Sequence, residues 1–274
     1  MRYLIGLDID GTLITDDHVI TDDTKAYIQK LMRDGHIICL LTGRPYRTAK
    51  PVYDELGLNT PIANYSGSAL HNPKDSTFPS YSFKMDYHNV TDTFTKFKDD
   101  IVNAFCEIED KVFLFRKDEK LEKWLNQDVE TFQIGDFETN VNEPLNGAVF
   151  FIRNHIVDRF EKYVQDKYRG KLGFRIWYSR HDRDYTVVEL FTPYANKATA
   201  LEVIREYYNI DKRNTITIGD GTNDFELLEY GYYSAAMENA RDTVKKSAKD
   251  VTSSNNDEGV LKYLKKVIEK KNSI

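Results

Sequence analysis

The sequence predicts an α/β protein, a parallel-sheet core whose chain is interrupted by an inserted α+β domain. Three observations carry this. Short apolar runs alternate with amphipathic segments from the N-terminus, the rhythm of strand–helix–strand units. The same alternation returns after Asn196. Between the two lies a stretch of different texture, rich in aromatic and charged residues, with strand-like runs such as "DKVFLFR" and "GAVFFIR". The core is therefore assigned to residues 1–83 and 191–274, and the insert to residues 84–190.

Taken in order, "YLIGLDI" reads as a strand, followed by the helix "TDDTKAYIQKLMRDG", capped by Thr21 or Asp22 and ended by Gly35. The unbroken apolar run of "HIICLLTG" predicts a strand covered on both faces. "RPYRTAKPVYDELG" is helical, with Pro45 in the first turn; Pro51 lies deeper and predicts a kink or a late start. In the insert, "FRIWYSR" and "YTVVELF" add strands and "VDRFEKYVQDKY" a helix. Its aromatics, Trp124 and Trp177 among them, are expected in its core, and "SRHDRD" (179–184) reads as a charged hairpin turn. The closing alternation runs from the helix "KATALEVIREYYN" through the strand "NTITIGD", the helix "NDFELLEYG", the strand "YYSAAM", the helix "ARDTVKKSA" and the short strand "DVTSS". It ends in the helix "EGVLKYLKKVIEKK", whose basic end reads as a solvated face.

With 41% hydrophobic and 30% charged residues over 274 positions, the chain can bury a sizeable core. A net charge of -6 argues against nucleic acid or a membrane surface as an electrostatic partner, since both are anionic. A small anionic ligand at a local positive site remains compatible with it. Cys39 and Cys106 form neither a disulfide framework nor a CxxC pair and read as free thiols of a reducing cytoplasm. Asp8 and Asp10 interrupt the apolar run that a signal peptide needs, and no stretch approaches a membrane span, so a cytoplasmic location is expected.

Ligands of open parallel sheets bind at the carboxyl ends of the strands. The notable polar groups fall at those ends or in nearby loops: Asp8 and Asp10, Thr42 in "LLTGRP", Lys197 in "YANKATAL", and Asp220 and Asp224 in "TIGDGTND". Asp8, Asp10 and Asp220 gathered at one site would raise one another's pKa, and a hard cation resolves that conflict. Acidic oxygens without a histidine or cysteine cluster suit Mg2+ rather than zinc. A carboxylate can also act as a nucleophile toward phosphorus. Mg2+, Lys197, the Thr42 hydroxyl and nearby amides would then oppose the charge of a transferring phosphoryl group. Asp10 is placed to give and take the proton, and Gly11 permits a tight backbone turn beside the phosphate. Lys197 in a helix's first turn faces an unfavourable dipole, a cost of about 0.3–1 kcal/mol that a bound phosphate offsets. Each residue also has a plainer reading: Thr42 as a helix cap, Lys197 as a surface lysine, Asp224 as an acid favouring its helix start, and Arg44 as a solvated side chain rather than one at the mouth of the site.

Together "DIDGTLIT", "LLTGRP", "NKATAL" and "GDGTND" resemble, in order and context, the four motifs of the haloacid dehalogenase-like superfamily of Mg2+-dependent phosphatases. The segments "AMENA" and "NDEGVLKYL" resemble the ends of its Cof-type sugar-phosphatase branch, and the insert resembles a C2-type cap. The resemblance implies a Rossmann-like core, Asp8 as nucleophile and Asp10 as general acid/base. It implies a phosphoryl group bound by Thr42 and Lys197, with Asn223 contacting the phosphate or orienting its neighbours; Gly11, Gly43 and Arg44, beside these residues in the sequence, are assigned to the same phosphate site. Mg2+ would be held by the side chains of Asp8 and Asp220 and the Asp10 backbone carbonyl, with Asp224 behind them. Three positions depart from the family pattern: Ala198 and Glu238 where glycine is usual, and Ser66-Gly67-Ser68 where Asn-Gly-Ala is common. The expected function is hydrolysis of small phosphomonoesters, sugar phosphates foremost, through an aspartyl-phosphate. A phosphomutase and a non-catalytic sugar-phosphate-binding regulator are the alternatives.

Overall fold

The computed structural model describes residues 1–125, 129, 131–179 and 184–271; residues 180–183 of the "SRHDRD" turn and the Trp124 side chain lie outside the described residues. The chain divides into two compact units, Met1–Tyr81 with Ala195–Ile274, and Ser82–Tyr194. Among the described residues no helix is long and apolar enough to cross a membrane.

The first unit is built on β1 (Leu4–Leu7), β2 (Ile37–Leu41), β3 (Ile62–Asn64) and β4 (Ala69–His71), with β5 (Tyr81–Ser82) at the point where the chain passes to the second unit. The second contributes β6 (Ile101–Ile108), β7 (Lys111–Leu114), β8 (Thr131–Ile134), β9 (Gly147–Arg153), β10 (Gly173–Ser179) and β11 (Tyr185–Phe191). The chain then returns to the first with β12 (Thr215–Gly219), β13 (Tyr233–Ala236) and β14 (Asp250–Val251). The first sheet has the order β14-β13-β12-β1-β2-β3-β4-β5. It is parallel from β14 to β3, but β4 folds back antiparallel on β3, so the sheet is mixed rather than wholly parallel. Only the 3-10 turn Tyr65–Gly67 and Ser68 separate these two strands, too short for the crossover that a parallel partner needs.

Alternate residues of the central strands serve opposite faces. Ile5, Leu7, Ile38 and Leu40 join Ile28, Leu31, Tyr53, Tyr263 and Leu264 in one apolar cluster. Leu4, Cys39 and Leu41 join Leu201, Ile204 and Leu227 in another. Helices Asp22–Arg33, Tyr46–Leu56 and Gly259–Lys271 thus cover one side, and Lys197–Tyr207 and Phe225–Tyr230 the other, which is why these strands are apolar throughout. Thr21 caps the first helix by accepting the Thr24 amide, and Gly35 follows its end at φ +90°. The helix Tyr46–Leu56 does not start late. Pro45 is its N-cap and it runs on through Pro51, where Val52, Tyr53 and Leu56 bury its inner face. One lost amide bond is outweighed by that packing.

The second unit has the strand order β10-β11-β9-β6-β7-β8, antiparallel except for β7 with β8. Helices Tyr87–Phe97, Phe137–Asn140 and Val157–Lys167 bury a phenylalanine-rich cluster against one face. Phe94 stacks on Phe137 with centroids 4.7 Å apart, and Phe97 meets Phe160 at 4.9 Å. Trp177 departs from the expected core position: it is 39% exposed, and its Nε1–H donates to Glu189 Oε2 at 2.8 Å. Ile176 turns into the helix-side cluster, so strand alternation sends its neighbour to the other face.

Candidate active site

Register brings the acids together. Leu7 of β1 pairs with Ile218 of β12 and the Asp8 amide donates to the Ile218 carbonyl, so Asp8 leaves its strand beside the segment that continues to Asp220. On the other flank Leu7 pairs with Leu40 of β2, whose chain continues to Thr42. Lys197, the first residue of its helix, is fixed by a capping box in which the Asn196 side chain accepts the Thr199 amide and the Thr199 hydroxyl accepts the Asn196 amide.

Lys197 is fully buried. Its Nζ donates to Asp8 Oδ1 at 2.6 Å and to Asp224 Oδ1 at 2.7 Å. The second Asp224 oxygen accepts the amides of Asp220 and Gly221 at 3.1 and 2.9 Å, so one carboxylate ties the lysine to the loop that carries Asp220. Asp220 Oδ1 accepts the Thr12 hydroxyl at 2.9 Å. Oxygens of Asp8, Asp220 and Asp224 lie within 4.8 Å of one another. Burial, aided by the Asp224 and Asp220 charges, pushes the Asp8 carboxyl well above its ordinary value despite Lys197. Burial and Asp224 push Asp220 up to about 6. Burial pulls the Lys197 ammonium down, but Asp224 and Asp8 outweigh it and raise it to about 12. Three carboxylates facing one ammonium leave an excess of negative charge in a buried, all-oxygen setting, and a hard divalent cation fits that donor set.

Gly11 is required here. Its φ is +71°, and a Cβ at that position would lie 2.4 Å from Asp220 Oδ2. Asp10 next to it turns its carboxylate away from the buried cluster onto Arg44, whose Nε and Nη2 donate to its two oxygens at 2.7 and 2.5 Å. Arg44 also holds the Thr48 carbonyl through Nη1 and is thus a partner of the acid, not a solvated side chain. Thr42 is fully buried and its hydroxyl accepts the Arg44 amide at 3.1 Å, ahead of the helix rather than as its cap. The Thr42 carbonyl accepts the Ser66 amide, and Asn223 Nδ2 donates to the Ser66 hydroxyl at 3.1 Å. Gly43 faces both, a Cβ there lying 3.5 Å from Asn223 Nδ2 and 3.6 Å from Ser66 Oγ. Gly67, at φ +98°, lets this loop approach Asn196, whose carbonyl oxygen would be 2.2 Å from a Cβ.

The order of those motifs is matched by the description of one family over nearly the whole chain: residues 5–264 fit haloacid dehalogenase-like hydrolase. The chain belongs to that family. Within this hydrolase family it is 33% identical over 266 residues to the 5-amino-6-(5-phospho-D-ribitylamino)uracil phosphatase YitU of Bacillus subtilis (strain 168), covering 96% of both chains. It is 32% identical to a putative phosphatase of Metamycoplasma hominis, covering 96% of this chain and 95% of that one. Its fold is shared with a haloacid dehalogenase-like hydrolase from Bacteroides thetaiotaomicron (TM-score 0.80, 22% identity, 98% and 100% of the two chains). It is shared also with a subclass IIB sugar phosphatase of the superfamily (TM-score 0.78, 20% identity, 97% and 98%). The protein is an enzyme of this family, a phosphoric monoester hydrolase.

Several groups in the site escaped the motif reading. Thr12 lies inside the first motif without a distinguishing signal, Ser66 stands out in the sequence only as a departure from the family pattern, and Asn64, whose Nδ2 holds the Arg44 carbonyl at 3.0 Å, has no sequence signal beyond its place at a strand end. Asn239 and Asn255 reach the Asp10 turn from the C-terminal part of the chain, 228 and 241 residues from the carbonyls they hold.

Proposed function

We propose that this phosphatase hydrolyses phosphomonoesters of small metabolites through a phosphoryl group carried on Asp8. The observation that supports this best is the division of the Asp8 carboxylate. Lys197 takes Oδ1, and among the described residues no group hydrogen-bonds Oδ2. Oδ2 is then the attacking oxygen: its bond to phosphorus forms as the bond to the leaving oxygen breaks. Asp10 gives its proton to that leaving oxygen, exchanging Arg44 for the substrate as it does so, and later takes a proton from the water that releases phosphate from Asp8. Lys197 and the Thr42–Gly43 loop oppose the charge on the transferring group. Mg2+, held by the Asp8 and Asp220 side chains with the Asp10 carbonyl, would supply further positive charge to the site. Asp224 acts by holding Lys197 and the Asp220 loop in place.

The proposed substrates are sugar phosphates and related phosphorylated polyols. The name of the YitU relative puts a phosphorylated ribitylamino-pyrimidine first in the panel to be tried. Release of inorganic phosphate is measured across the panel with and without Mg2+, for the wild type and for Asp8→Asn. Asp8→Asn is expected to lower turnover by roughly 1,000-fold or more with its unfolding midpoint retained. Wild-type turnover in that variant would sink the mechanism. An isomerised sugar phosphate in place of free phosphate would make the enzyme a mutase.

A further inference from the structure

The backbone between β1 and the first helix is irregular where Asp10 sits. Ile9–Leu13 forms one wide turn closed by the Ile14 amide on the Ile9 carbonyl at 3.1 Å, with Asp10 extended at φ -76° and ψ 127° and Gly11 at φ +71°. Such a turn has few internal bonds to fix it, and the aim of the Asp10 side chain depends on it. Two asparagines that the chemistry above does not use supply the missing bonds. Asn239, just beyond β13, donates from Nδ2 to the Gly11 carbonyl at 2.8 Å. Its Oδ1 accepts the Asn255 amide at 3.1 Å. Asn255, only 5% exposed, donates from Nδ2 to the Ile14 carbonyl at 3.1 Å and to Asp16 Oδ1 at 3.0 Å. Asn256 completes the seam: its Nδ2 donates to Asp16 Oδ2 and its Oδ1 accepts the Asp16 amide.

We propose that Asn239 and Asn255 are positioning residues for proton transfer by Asp10, coupled to each other and holding the carbonyls of Gly11 and Ile14 on its C-terminal side. This rests on the reading of Asp10 as general acid/base. The two carbonyls are that of the residue after Asp10 and that of Ile14, whose amide closes the turn, so both bonds restrain the backbone that aims Asp10. Asn239 is exposed, and neither it nor its bond to Gly11 belongs to the apolar core. Its removal therefore loosens the turn without removing core packing.

A leaving group that needs no proton separates aim from general damage. kcat/KM, which covers events up to loss of the leaving group, is compared for phenyl phosphate and 2,4-dinitrophenyl phosphate in the wild type, Asn239→Ala, Asn239→Asp, Asn255→Ala and Asp10→Asn. Asn239→Asp keeps the acceptor for the Asn255 amide but loses the donor to Gly11. Both Asn239 variants are expected to lose on the order of 10–100-fold on phenyl phosphate and less than about 3-fold on the dinitrophenyl ester. Asn255→Ala should show the same selectivity if it folds, and the exposed Asn239 site carries the test if it does not. Selective loss in Asp10→Asn but equal or no loss in the Asn239 variants overturns the proposal alone. Equal loss on both esters in Asp10→Asn overturns the assignment of Asp10, and the proposal with it.

Discussion

At the scale of single residues the site is a problem of charge and space. Gly11 shows the second: the chain passes so close to Asp220 that no side chain fits, and its left-handed backbone disfavours any other residue. Gly11→Ala is expected to destabilise the first unit by about 1–2 kcal/mol from the backbone alone. The Asp220 carboxylate must also move, so the proposed Mg2+ site predicts that half-maximal activity needs roughly 10-fold more Mg2+ or above. Urea unfolding and a Mg2+ titration of turnover check both, and a variant with wild-type values in each would show that the turn tolerates a side chain. Charge is handled by Lys197, which sits at the positive end of its helix yet is compensated by two carboxylates at hydrogen-bond distance.

At the scale of elements, the helix Lys197–Tyr207 links the site to the sheet's outer layer. Its first residue holds Asp8; further along, Glu202 accepts from Arg205 Nε and Nη2 at 2.7 and 2.8 Å and from the Tyr230 hydroxyl of the helix Phe225–Tyr230. The Arg205 donors hold the Glu202 carboxyl down at about 2, against an ordinary 4.5. A carboxyl lowered on folding contributes stability that is complete above its unfolded value and lost as pH falls through its folded value. The contribution is therefore full above about pH 4.5 and lost toward pH 2. Glu202→Gln should lower the urea midpoint at pH 7, and the gap to wild type should close between those two pH values. A gap that stays constant from pH 7 to pH 2 would mean that the carboxylate charge plays no part.

For the whole molecule, each of the two units has its own apolar clusters, the second built around Phe94, Phe137, Phe150 and Phe160. A body with its own core and sheet can fold alone. Residues 82–194 expressed by themselves are expected to give a single cooperative thermal transition by circular dichroism, with dispersed amide resonances. A gradual loss of signal without a transition would show that the insert depends on the rest of the chain.

Sequence alone determined the local matters. The apolar runs of β1 and β2 are uninterrupted because both sheet faces are covered, and periodicity reports that directly. The helix start at Thr21 or Asp22, between which the structure chose Thr21, the glycine after that helix and the four motifs are likewise short-range patterns, and the motifs marked the family. Tertiary structure decided who meets whom. The Asp10 carboxylate rests on Arg44, Lys197 bridges Asp8 and Asp224, β4 turns back on β3, and Trp177 lies partly exposed. Asn239 and Asn255 hold a turn more than two hundred residues away. The physical reason is that hydrophobic period and capping are fixed by a few neighbouring residues. Which partner a side chain meets is fixed by strand order and register, which bring distant segments to hydrogen-bond distance; a motif marks that a residue matters, not what it touches.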